Sequence, residues 1–153
     1  MRKLQWLQEH LGAVVVALFI CVIIVAGFIL FDRHPDAHAL RVGGKSFSLE
    51  VASTPQEQEL GLGNRPSMPA DHGMLFVFSG TPQKQCFWMR DMNFPLDIIW
   101  LGPDKQVVHI EQNVSPDTYP HSFCSSEPAQ YVIELNAGAV AATGIHVGQT
   151  LNF

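Results

Sequence analysis

The chain has 153 residues, which leaves room for one domain and an appendage. Nine Lys/Arg against fourteen Asp/Glu give a formal net charge of −5, without the basic footprint that phosphate-backbone binding requires. Nucleic acid is therefore not an expected partner.

The appendage comes first. Residues 11–31 read LGAVVVALFICVIIVAGFILF, without one charged side chain. At ~1.5 Å per residue the run spans roughly 30 Å, the thickness of a bilayer's hydrocarbon core. Lipid offers the backbone no hydrogen-bond partners, so the run predicts a single transmembrane helix. Arg2 and Lys3 precede it, whereas Arg33 is the only nearby cation after it. The positive-inside tendency then keeps residues 1–10 cytoplasmic and exports the rest. The alternative is a cleaved signal peptide giving a secreted or periplasmic protein, since Ala37-His38-Ala39 has the small-x-small form of a cleavage site. Against it, the run exceeds an h-region of about 7–15 residues, and the segment DRHPD separates it from the alanines.

Residues 32–39 read as a polar linker, and residues 40–153 as the extracytoplasmic domain. There Phe47, Leu49 and Val51 alternate with Ser46, Ser48 and Glu50, the period of a half-buried strand. Thr54-Pro55-Gln56-Glu57 has capping-box spacing with proline at the first helical position. It predicts a short helix to about Leu60, stopped by Gly61 and Gly63. The apolar run 74–78 suits a strand covered on both faces, and Ser79-Gly80-Thr81-Pro82 breaks it. Extended structure resumes at 86–89 and turns at Asn93-Phe94-Pro95. Residues 96–101 and 106–114 flank Gly102-Pro103-Asp104-Lys105 as a hairpin. A further strand is predicted over 131–135, a helical turn over 139–143 ending at Gly144, and a last strand over 145–153. The expected fold is mainly β, a small sandwich or barrel-like domain with one or two short helices.

Several of these stretches resemble one family: Gly61-Leu62 through Arg65, Gly73-Met74-Leu75-Phe76, Phe87-Trp88-Met89, Pro95-Leu96-Asp97, and Tyr131-Val132-Ile133-Glu134-Leu135 followed by Ala137-Gly138. In this order they are similar to the bacterial and archaeal domain of unknown function 192. The resemblance implies a compact, mainly-β fold, often behind a signal peptide or anchor, and implies no activity. Two departures stand out. The family usually has Asn-Thr where this chain has Asp91-Met92, and an acidic residue near Gln149.

Asp97 is the first candidate for chemistry. It sits in FPLDIIWL between apolar neighbours, so its carboxylate needs a cation or several donors. Arg65 and Arg90 are the expected cations, and a fold-locking ion pair competes with a ligand-binding role. Glu134, in an alternating strand, is expected to point outward, although Asp97 and Glu134 could in principle act as acid and base on a glycoside. Trp88, Phe87 and Trp100 read either as core or as a platform for a sugar or peptide. His38, His72, His109, His121 and His146, with Met68, Met74, Met89 and Met92, raise the question of copper. Without HExxH, paired CxxC or a Met-rich repeat, no metal or other cofactor is expected.

Cys86 and Cys124 are the two cysteines of the exported part, and an oxidising compartment favours a disulfide between them. Cys86 reads equally as a small core residue. The leading expectation is a membrane-anchored, extracytoplasmic binding or accessory module of the cell envelope. Its ligand site is expected around Arg65, Trp88 and Asp97, for a small polar ligand such as a sugar or peptide. No catalytic set stands out, so an envelope carbohydrate- or peptide-acting enzyme using Asp97 is the alternative, and a purely structural component a further one.

Overall fold

The computed structural model describes residues 38–153. The predicted membrane span and cytoplasmic N-terminus lie outside them. Among the described residues no helix is long and apolar enough to cross a membrane.

Eight strands and two short helices follow in order: β1 (His38–Val42), β2 (Lys45–Ala52), α1 (Pro55–Leu60), β3 (His72–Val77), β4 (Cys86–Trp88), β5 (Leu96–Leu101), β6 (Val107–Val114), β7 (Ser122–Cys124), β8 (Tyr131–Asn136) and α2 (Ala139–Thr143). Six strands form one sheet in the order β1-β2-β3-β8-β5-β6, and β4 pairs with β7 in a separate two-stranded ribbon. The mainly-β expectation holds. Within the large sheet only the β2–β3 pair is parallel, and α1 lies in the connection between them.

Local chemistry explains the elements that the sequence predicts. Thr54 Oγ1 accepts from the Glu57 N–H, and the Glu57 carboxylate accepts from the Thr54 N–H, closing the capping box at the start of α1. Pro55 opens the helix, and Gly61 ends it with φ 51°. Strand β5 is buried at all six positions because the sheet is covered on both faces where β5 runs, which accounts for its near-continuous apolar run.

One face carries Phe47, Leu49, Leu75, Ile133, Leu135, Ile99 and Leu101, packed with Val140, Ile145 and Leu151. The other carries Ala52, Met74, Phe76, Val132, Ile98 and Trp100, packed with Leu62, Met68 and Met89. Phe87 and Phe123 of the ribbon pack against this second cluster. Gly73 sits where the layers come closest: a Cβ there would lie 2.6 Å from the Glu134 carbonyl oxygen and from Leu135 Cδ2.

Two expectations change. The linker predicted over 32–39 ends sooner, because His38 and Ala39 belong to β1 and pair with Leu49 and Ser48. Gly43 and Gly44 are the two-residue turn that returns β1 into β2; both have positive φ (57° and 73°), as a type I′ turn demands. The strand predicted over 145–153 is absent. That segment makes one isolated bridge, Thr150 to Gln106, because Gly148 at φ 89° turns the chain before a ladder can extend. Strand β7, at three residues, is too short to show a period in the sequence.

Candidate functional site

The second face of the sheet is incompletely covered. Between α1 with its following loop and the strand β4 lies a cavity of about 310 Å³. Gln58, Glu59 and Leu60 form one side, Phe87, Trp88 and Arg90 another, and Phe76 and Glu134 also line it. The cavity sits within the range of sizes typical of small-molecule sites, roughly 300–1,000 Å³.

Glu134 reaches this cavity through strand register. It stands directly opposite Met74 on β3 and Ile98 on β5, so it projects to the same face as those two core residues. The residue is only 5% exposed. No hydrogen bond from another described residue reaches its carboxyl. Burial pushes its pKa up from 4.5 to about 8, and the nearby positive charge of Arg65 only partly opposes this. The guanidinium of Arg65 is committed elsewhere, in a two-pronged pair with Glu50 at 2.7 and 2.9 Å.

The rim is aromatic and charged. Arg90 lies over the Trp88 ring at 4.8 Å from its centroid and pairs with Glu59 at 2.5 Å. Trp88 also meets Tyr119 edge-on, with centroids 6.2 Å apart. Both rings, at 45% and 47% exposed, leave apolar surface in water beside the opening, as does Leu60. A disulfide joins Cys86 to Cys124 directly across the ribbon, with Cα atoms 4.0 Å apart. Cys86 is exposed and lines the cavity, so it is not a core residue.

A second, more open concavity of about 460 Å³ shares Pro55, Glu59, Leu60, Gly63 and Arg90 with the first and adds Gln56, Asn64 and Asp91. Asn64 and Asp91 have positive φ of 62° and 59°, and the Asn64 N–H donates to the Asp91 carbonyl. Asp and Asn both tolerate this left-handed conformation.

The structure separates the residues singled out together in the sequence. Trp88 lines the cavity. Arg65 stands close enough to Glu134 to affect its charge but is not part of the lining. Asp97 is on the opposite face, since it pairs in register with Leu135 while its neighbour Ile98 pairs with Glu134. Its expected partners are also corrected. Arg65 binds Glu50 and Arg90 binds Glu59, while the Asp97 carboxylate accepts from the backbone N–H groups of Asn113 and Val140, each at 2.8 Å. Val140 lies in the first turn of α2, whose N-cap is Gly138, so Asp97 supplies the cap that glycine lacks.

Glu134 and Asp97, on opposite faces, cannot flank one glycosidic bond. Trp100 is fully buried, with its indole N–H donated to the Gln85 carbonyl, so it serves the core rather than a platform. Among the described residues no cluster of three or more His, Cys, Asp or Glu is placed to hold a metal. The expectation that Glu134 points into solvent fails. The adjacent apolar pair Val132-Ile133 was the available sign, because a strand with one wet face does not bury two consecutive side chains.

No curated protein matches the chain. Two solved structures are similar to it. One is a Sinorhizobium meliloti 1021 protein called "a putative transcription regulator", 34% identical, with a TM-score of 0.68, covering 74% of this chain and 89% of that one. The other is a protein of unknown function from Novosphingobium aromaticivorans DSM 12444, 30% identical, with a TM-score of 0.69, covering 80% of this chain and 94% of that one. The profile of the domain of unknown function 192 family, described as "Uncharacterized ACR", matches residues 38–153, and the chain belongs to that family.

Proposed function

We propose that this protein is a membrane-anchored, extracytoplasmic binding module whose small polar ligand enters the cavity over Glu134. One observation carries the reading: the carboxyl of a residue only 5% exposed, without a hydrogen bond from another described residue, opens into a cavity rather than into packed core. Burying such a group costs free energy that packing alone does not return, and a ligand supplying its partner would offset that cost. The exposed Trp88 and Tyr119 rings beside the opening offer apolar surface to the rest of the ligand.

The anchor rests on the uninterrupted apolar run of residues 11–31. A cut after Ala39 would remove two paired residues of β1, which weighs against the cleaved alternative. The acidic charge weighs against carrying over the regulator label of the Sinorhizobium protein as DNA binding. An enzyme built on Asp97 is disfavoured because both its oxygens are held by backbone donors.

The test is a fluorescence screen of the full-length chain in detergent against envelope sugars, peptides and amines. A ligand of this cavity changes Trp88 emission, and both Trp88→Ala and Glu134→Gln weaken its binding at least tenfold. A saturable ligand bound equally well by both variants would place the function elsewhere.

A further inference from the structure

The charged groups facing the cavity are unevenly balanced. Its charged lining residues are Glu59, Arg90 and Glu134. Arg90 and Glu59 neutralise each other in direct contact, and the Arg90 guanidinium also has Trp88 beneath it. Arg65 approaches Glu134 from outside the lining, but its two-pronged contact is made with Glu50. Gln58 donates its side-chain N–H groups to the Val77 and Ala52 carbonyls, which leaves its amide oxygen as an acceptor. The lining thus holds no cation for Glu134 that is not already paired with another carboxylate.

Resting on the reading of this cavity as a ligand site, we propose that it takes the ammonium group of a primary amine, seated on the Glu134 carboxylate. An ammonium carries three donors and one positive charge on a narrow stem. A carboxylate in a low-dielectric setting binds such a group far more strongly than a neutral hydroxyl, because the Coulomb attraction is little screened there. The walls favour the same occupant: Phe78, Phe87 and Trp88 line the cavity, and aromatic rings attract cations at their faces. An anionic ligand would meet Glu59 and Glu134 with only one arginine, already paired. A free alkylamine and a lysine side chain of a peptide share the required chemistry.

Calorimetry on the full-length chain in detergent distinguishes these sources and tests the site. The probes are n-butylamine, Nα-acetyl-lysine methylamide and the neutral N-butylacetamide. The amines should bind and the neutral amide should bind at least tenfold more weakly. Because the raised pKa of Glu134 leaves its carboxyl mostly protonated below pH 8, amine binding must expel that proton. Affinity should therefore rise about tenfold per pH unit from pH 6 towards 8 and level off above it. At pH 7, buffers of different ionisation enthalpy should report close to one proton released. Glu134→Gln, which keeps the shape of the side chain, should abolish both the binding and the proton release.

Tighter binding of the lysine derivative than of butylamine identifies a peptide side chain as the source, and the reverse order a free amine. Equal binding of amine and amide, or amine binding unchanged in Glu134→Gln, overturns the cation proposal. In that case a Trp88-dependent ligand from the fluorescence screen would leave the cavity's role as a ligand site standing. If neither amines nor any screened ligand depend on Trp88 and Glu134, both readings fall together.

Discussion

Replacing Glu134 with glutamine should make the domain more stable at alkaline pH, the result expected of a desolvated carboxyl. The carboxyl titrates near 4.5 in the unfolded chain and near 8 in the native one. Between those values the native state holds a proton that the unfolded state has released. Stability therefore falls as pH rises through this window and is highest below it. At about 1.4 kcal/mol per pH unit, the loss approaches roughly 5 kcal/mol by pH 9. Glutamine has the same shape and does not titrate. Urea unfolding of the wild type and Glu134→Gln, followed by tryptophan emission at several pH values from 4.5 to 9, isolates the effect as a difference. The two stabilities should nearly coincide at pH 4.5 and diverge by several kcal/mol at pH 9, the variant being the more stable. Parallel curves across the whole range would refute the reasoning, because they would mean that Glu134 titrates alike in both states.

Asp97→Asn should destabilise the fold by about 2–3 kcal/mol without altering ligand affinity, because an amide group cannot accept from both Asn113 and Val140. Thermal melting and amine titration of the same variant read the two effects separately, and a binding defect at unchanged melting temperature would restore Asp97 to the site. Removing the Cys86–Cys124 bridge by a double serine substitution should lower stability by about 4 kcal/mol in the chain-entropy model for a separation of 38 residues. Chemical denaturation checks this, and an unchanged midpoint would show that the ribbon holds without its crosslink. For topology, an enzyme reporter that folds only outside the cytoplasm, fused after Phe153, should be active, and the protein should resist alkaline extraction. Release of a soluble fragment beginning near Leu40 would support cleavage instead.

Local features were legible in the sequence because their causes are local. The capping box at Thr54 and Glu57 closes within one turn, so the start of α1 follows from residues three apart. The bounds of β5 and the turn at Gly102 and Lys105 follow from an apolar run and a turn former beside it. The family resemblance rests on order along the chain, and needs no knowledge of contacts. What the strands do to one another is different. Whether Glu134 faces solvent or a cavity depends on its being flanked by Met74 and Ile98, and on which layer covers that face. Asp97 looked like a partner for an arginine, yet its acceptors are satisfied by backbone from residues 16 and 43 positions away. Composition alone cannot reveal those donors, because every residue type other than proline offers the same N–H. The candidate site is thus a product of sheet register: side chains one position apart in a strand face opposite ways, and only the pairing of β8 with β3 and β5 decides which of the two acids meets the open cavity.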